Sequence, residues 1–327
     1  MNVSRRKFVT LISSAIAAGP LNALAQQRVG TRRIAMLILG SESDPIPRTW
    51  VAAFQEGLRH AGWSENNNLR TDLRFAADRS SIRSSAEELV KLAPDLILVH
   101  SSPGTSAIRQ KTKTIPIVFV AVGDPVVNGF VEEIAHPKGN ATGFTNLFPS
   151  IGGKWLELLK EAAPRMVRVG LLFNPEFEFS KTYFPPIETA APRLSVQIVR
   201  MPYRSSTELG NAVNAMAAEP NGGLVILPPL SNYPREFILR LQETRLPAIS
   251  TSRSFATAGG LMSYGADNVD LFRRASSYVD RILRGEKPSD LPVQFPTKFE
   301  MVLNLKTVKA MDLNISRTLS AFAEVIE

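Results

Sequence analysis

The chain has 327 residues, 44% of them hydrophobic and 21% charged, with a formal net charge of +8 and no cysteine. That composition is ordinary for a folded α/β protein and excludes a disordered, collagenous or coiled-coil chain. The missing cysteine excludes disulfides, a thiol nucleophile, thiolate zinc and iron–sulfur clusters, and the three dispersed histidines (His60, His100, His136) offer no metal-ligand spacing.

The first 25 residues read as an export address. Arg5-Arg6-Lys7 precede a short apolar run, a Gly19-Pro20 break and the Ala23-Leu24-Ala25 site. The run is shorter than the roughly 20 residues needed to span a bilayer. The order Ser4-Arg5-Arg6-Lys7-Phe8 resembles a twin-arginine signal, with cleavage expected after Ala25. With no cysteine after the apolar run, a free periplasmic protein is expected rather than a lipid-anchored one. Removing those three of the 38 basic residues leaves 35 against 30 acidic ones. They are scattered among acids, so no nucleic-acid partner is expected.

Short apolar runs then alternate with amphipathic stretches. Residues 34–39 form a continuous apolar run opening at Gly40-Ser41, as a buried parallel strand would. Trp50, Phe54 and Leu58 at spacings of four predict a helix over 50–61. An alternating edge strand is expected at 69–75, a helix at 81–92, a strand at 95–100, a helix to about 112 and a strand at 115–120. The rhythm pauses at 140–145. It resumes with a helix at 154–162, a strand at 167–173, a helical region at about 183–193, a strand at 196–199 and a helix at 206–218. A strand at 223–227, a helix at 234–244 and a strand opening at 248–250 follow. After Leu261–Gly265 come a helix at 269–283, a final strand at 299–305 and a helix at 306–311.

The fold class is therefore α/β: two doubly wound parallel-sheet lobes joined by a hinge. Lobe 1 is expected to comprise residues 31–146 plus about 266–294, and lobe 2 residues 147–265 plus about 295–327.

Ligands of open parallel sheets bind where strand ends open into helices. Those loops hold Gly40, Ser41, Ser101, Ser102, Gly104, Thr105, Gly123, Asp124, Asn174, Pro228, Ser231, Ser252, Arg253 and Phe255, with Thr145 and Asn146 ending a further motif. Hydroxyls, amides and free N–H groups at helix starts suit carboxylate or other anionic groups. The plainer reading makes them helix caps. Arg253 could pair bidentately with a carboxylate or be a solvated loop arginine. Trp50, Trp155 and Phe255 could stack on an aromatic ligand, while the helical spacing of Trp50 and Trp155 favours core and His100 reads as strand-end packing. The phosphate-binding glycine loops and the G-x-S-x-G elbow are absent. No catalytic residue, metal or cofactor is expected, although a secreted hydrolase using Ser102 or Asp124 is the alternative from another class, and a sensing partner of a membrane receptor a third.

Several stretches resemble a known family. They are IPIVFV at 115–120 with GDPV at 123–126, NATGFTN at 140–146, GKWLELLK at 153–160, LFNP at 172–175, EPNGGL at 219–224 and LPAI at 246–249. GGLMSYG at 259–265, YVDRILRG at 278–285 and PTKFE at 296–300 complete the set. The chain is similar to the substrate-binding proteins of ABC transporters with the type I periplasmic-binding fold, in particular the tryptophan/tyrosine-binding-like group. The resemblance implies a monomer whose lobes close on a small ligand, such as an amino acid or aromatic carboxylate, and deliver it to an inner-membrane permease. Two loops depart from the family pattern, Pro228-Pro229-Leu230 and Ser250-Thr251-Ser252-Arg253, and both face the expected cleft.

Overall fold

The computed structural model describes residues 30–327 apart from 229, 231 and 232. The export signal and Ser231 lie outside the described residues. The first part of the chain runs β1 (Arg32–Leu39), α1 (Pro45–His60), β2 (Leu69–Ala76), α2 (Arg79–Lys91), β3 (Leu96–His100), α3 (Ser102–Lys111), β4 (Ile117–Val122) and β5 (Ala141–Thr145). These strands form one parallel sheet in the order β2-β1-β3-β4-β5. Alternation along β1 explains its two covered faces. Ile34, Met36 and Ile38 enter a core with Val51, Phe54 and Leu58 of α1. Ala35 and Leu37 enter another with Ile82, Ala86 and Leu89 of α2.

The chain continues through α4 (Ile151–Ala162), β6 (Arg168–Phe173), α5 (Phe184–Ala190), β7 (Gln197–Pro202), α6 (Ser206–Ala217) and β8 (Gly222–Ile226). Then come α7 (Arg235–Glu243), β9 (Ala248–Ser250), α8 (Arg253–Thr257), β10 (Met262–Ala266), α9 (Asn268–Leu283), β11 (Phe299–Asn304), α10 (Leu305–Ala310), α11 (Arg317–Phe322) and β12 (Glu324–Ile326). Their sheet has the order β12-β11-β10-β9-β8-β6-β7. It is parallel except where β11 returns antiparallel beside β10.

Helix α9 follows a strand of the second sheet but packs on the first. Its Leu271, Phe272, Ala275, Val279 and Ile282 share the core of α1 and β1. Trp63 Nε1 donates to Asp280 at 2.8 Å, and Arg284 donates to the Ala61 carbonyl at 2.9 Å. The chain therefore crosses between sheets three times, after β5, after β10 and before β11. All three crossings are tied to one another by backbone hydrogen bonds. Gln294 N donates to Gly143 O and Thr145 N to Gln294 O, both at 2.9 Å, and Asp267 N donates to Lys298 O at 3.0 Å. Gly143 permits β5 to lie this close to β4: its φ is +151°, and a Cβ would sit 2.0 Å from Phe119 O.

Some elements differ from the sequence-based expectation. Strand β5 occupies the pause at 140–145, and β12 follows the strand expected to be final. The helical region at about 183–193 is broken into a 3-10 turn (Glu178–Tyr183), α5 and a second 3-10 turn (Pro192–Leu194). Proline is tolerated only in a helix's first turn, so Pro185 and Pro186 start α5 and Pro192 ends it. Among the described residues no helix is long and apolar enough to cross a membrane.

Gly57 marks a close approach of α1 to α9, since a Cβ there would lie 2.2 Å from Ser276 Oγ and 2.9 Å from Ser276 Cβ. Alanine should gain up to about 1 kcal/mol of helix propensity, but overpacking costs roughly 1–3 kcal/mol. Gly57→Ala should therefore destabilise the protein in urea unfolding, and adding Ser276→Gly should recover most of the loss. Stabilisation by Gly57→Ala alone would contradict this packing.

Candidate functional site

The carboxyl ends of β1, β3 and β4 and those of β6, β8 and β9 form the two walls of the candidate site. The walls meet at one rim, where the Phe179 ring lies 3.5 Å from the position of a Cβ on Gly123.

On the first wall the backbone is strained. Ser101, the N-cap of α3, has φ 73° and ψ 161°, a region that residues other than glycine rarely occupy. Beside it Ala121 has φ 55°, at a register shift between β4 and β5. A web of hydroxyls holds this geometry. Ser102 Oγ accepts from Gly123 N at 3.0 Å. Thr105 Oγ1, fully buried, donates to Ser101 O at 2.7 Å. Thr145 Oγ1 bridges the Val122 and Gly123 carbonyls at 3.0 and 2.8 Å and accepts from Leu147 N at 2.9 Å. Buried Gly104 leaves room where a Cβ would press to 3.0 Å of Val99. Asp124 accepts from Val126 and Val127 N at 2.9 and 3.0 Å, as a turn former does. Gly40 N bonds to Ala76 O at 2.9 Å, Ser41 is exposed and bonded to Ser43 at 2.8 Å, and exposed Asn146 gives its backbone N–H to Val122 O at 2.9 Å.

The second wall uses its polar groups in the same way. Asn174 accepts from Glu176 N at 2.9 Å. The Pro228 carbonyl accepts from Ser180 Oγ at 2.6 Å. Ser252 caps α8 and bonds to Ser254 at 2.7 Å.

Two expectations need correction. Phe255 does not face the site: it is 0% exposed, in the core of lobe 2 beside Tyr233, because its place in α8 turns it inward. Nor is Arg253 a free anion receptor. Its guanidinium grips both carboxylate oxygens of Glu324 and lies 3.5 Å from Glu300. The bond from Arg253 holds the Glu324 carboxyl below its usual range, while burial pushes Glu300 upward.

Aromatic groups supply what sequence reasoning placed elsewhere. Trp50 is half-buried and packs against the core of the first sheet, with its ring 5.8 Å from and stacked on Phe272 of α9. His100, the last residue of β3, lies 4.9 Å from Trp50 and 5.8 Å from Phe272. The three cap the α1/α9 layer at its strand-end side. The available signals were Trp50 in the early turns of α1 and His100 at a strand terminus. His100 Nδ1 is closed off from water without a hydrogen-bond partner, and burial pushes the ring's pKa down to about 4. Among the described residues no acidic and histidine cluster could hold a metal ion.

Two sheets facing across three crossings, with a small polar and aromatic site between strand ends, define a two-lobed solute-binding protein of the type I periplasmic fold. Residues 43–326 match the family model of ABC transporter substrate binding proteins, and the chain belongs to that family. It is 28% identical over 269 residues, 80% of its own length and 75% of the relative's, to the tyrosine-binding protein of Clostridioides difficile. A Streptococcus pneumonia ABC domain in complex with L-Trp superposes with a TM-score of 0.77 at 22% identity, covering 91% of this chain and 100% of that one. The ligand-free, open structure of a Clostridium difficile substrate-binding protein with adhesive properties gives a TM-score of 0.72 at 24% identity over 90% and 99% of the chains.

Two predictions follow from the strained wall and the buried ring. Ser101→Gly should relieve roughly 1–3 kcal/mol of backbone strain at a capping cost of a few tenths, so its urea midpoint should rise; a fall would mean that the conformation is not strained. A histidine with a depressed pKa binds fewer protons folded than unfolded. Stability should therefore fall as pH drops from about 6.5 towards about 4, by up to roughly 3 kcal/mol. His100→Phe should flatten that window in denaturation series at stepped pH.

Proposed function

We propose that this chain is an exported receptor that captures an aromatic amino acid between its lobes and delivers it to an inner-membrane permease of an ABC transporter. The observation that carries the reading is the opposition of two sets of strand ends across crossings tied by backbone hydrogen bonds, with the rims in contact at Phe179 and Gly123. The moving bodies are residues 31–146 plus about 266–294 and residues 147–265 plus about 295–327. The first 25 residues act as a twin-arginine signal cleaved after Ala25, leaving a free monomer in the periplasm.

Ligand class is supported by two independent lines. One is the aromatic group of Trp50, His100 and Phe272 at the strand ends. The other is the likeness to a tyrosine-binding protein and to a structure holding L-Trp. Ser102 is a poor nucleophile in this setting, since its oxygen accepts from Gly123 N and His100 packs among rings.

A thermal-shift series on the mature protein, from Gln26 onward, tests this with L-tryptophan, L-tyrosine and L-phenylalanine. A ligand at 100 times its dissociation constant adds about 2.7 kcal/mol, so Tm should rise by several degrees with the amino acid recovered unchanged. No shift with any of them, or conversion of the compound that binds, would contradict the proposal.

A further inference from the structure

Gly123 carries the first lobe's side of the contact between the rims, and its own backbone does not demand a glycine. Its φ lies outside the left-handed region that favours that residue. The space a Cβ would enter is bounded by the other lobe: the three nearest atoms are Cε2, Cζ and Cδ2 of Phe179, at 3.5 to 3.6 Å. That is ordinary van der Waals separation, so a methyl group fits there and the glycine leaves the ring without it. Both partners are held from behind. Gly123 N donates to Ser102 Oγ at 3.0 Å, and Gly123 O lies 2.8 Å from Thr145 Oγ1. Phe179 sits in the 3-10 turn, where its carbonyl accepts from Thr182 Oγ1 at 2.6 Å. The next residue, buried Ser180, donates to Pro228 O at 2.6 Å. The Phe179 ring packs in part on the core of lobe 2. Each rim is apolar around the contact: exposed Phe177 lies edge-on to Phe179 at 6.1 Å, and Val126 and Val127 are exposed just past Gly123.

Resting on the proposed function, we propose that the Phe179 ring and the bare backbone of Gly123 form a closure latch whose strength sets ligand affinity without touching the ligand. The ring meets Gly123 when the rims come together and parts from it when one lobe turns away from the other. A contact made in only one of two arrangements shifts the balance between them by its own free energy. Apparent affinity then follows the fraction of molecules whose lobes are already together. Glycine keeps the latch weak, which suits a receptor that must also let its solute go. Alanine at 123 adds one methyl group to the contact and moves the balance about fourfold towards the closed arrangement. What alanine does to the unfolded chain is common to both arrangements and cancels.

The chain has no cysteine, so spin labels go only where cysteines are introduced. Arg79 and Thr207 are exposed in the first turns of α2 and α6, the helices that follow edge strands β2 and β7. Pulsed electron–electron double resonance between labels at Arg79→Cys and Thr207→Cys reads the separation of the lobes with no ligand added. Phe179→Leu keeps an apolar side chain on the lobe 2 core but lacks Cε2 and Cζ, and it should move weight to longer distances. Gly123→Ala should raise the ratio of short to long distances about fourfold. In the double variant that gain should vanish, because the methyl group has no ring to meet. Dissociation constants for L-tryptophan and L-tyrosine by isothermal titration should follow the same order, tightest in Gly123→Ala. Distances that neither variant moves, or a gain from Gly123→Ala that persists beside Phe179→Leu, overturn the latch while ligand binding by the wild type upholds the receptor. Binding of neither amino acid contradicts the aromatic reading, and the label distances still decide the latch.

Discussion

The three passages of chain between the sheets converge on Arg274 of α9. Its guanidinium donates to Phe295 O and Thr297 Oγ1 at 3.1 Å and to Gln294 Oε1 at 3.4 Å, and it sits 5.2 Å over the Phe144 ring. Asp270, one turn away and buried, is 3.6 Å from Arg274 and 3.1 Å from Lys298 Nζ. One cation thus touches β5 near its end and the passage entering β11, and through Asp270 it reaches the start of α9. Crossing backbone runs side by side at this knot, which makes it the natural pivot for any rotation of one lobe against the other. Among the described residues the walls of the cleft meet through a phenylalanine ring against a glycine. A stiff pivot and a lightly held rim are what a hinge motion requires.

The same economy governs the walls. Ser102, Thr105, Thr145 and Asp124 spend their polar atoms on backbone groups of neighbouring loops. They fix strained backbone at Ser101 and Ala121 rather than reach outward. Arg253 follows the same rule in the second lobe, where it fastens α8 to β12 and β11.

The alternation of buried strands and amphipathic helices was legible because the inner strands of a doubly covered sheet are continuous apolar runs, as in Ile34–Leu39. The strand ends were equally legible, since Gly, Ser and Pro punctuate them. What escaped notice were elements whose signal is tertiary. Strand β5 carries Gly143 and two threonines and is a strand because it pairs with β4 and Gln294. Strand β12 has three residues and exists only beside β11. The cleft side chains were harder still. A serine that caps and a serine that binds have the same neighbours in sequence, and Phe255 turned inward only because α8 forms there. Trp50 read as core from its helical spacing, which reports the face of the helix but not that its early turns stand at the edge of the cleft.

The central claim is that the lobes move as two bodies about the Arg274 knot when a small ligand binds. Small-angle X-ray scattering from the mature protein, alone and with saturating L-tryptophan or L-tyrosine, addresses it most directly. The account predicts a smaller radius of gyration and maximum dimension with the ligand that binds, and unchanged helix content by circular dichroism. Identical scattering profiles with a ligand shown to be bound would contradict it.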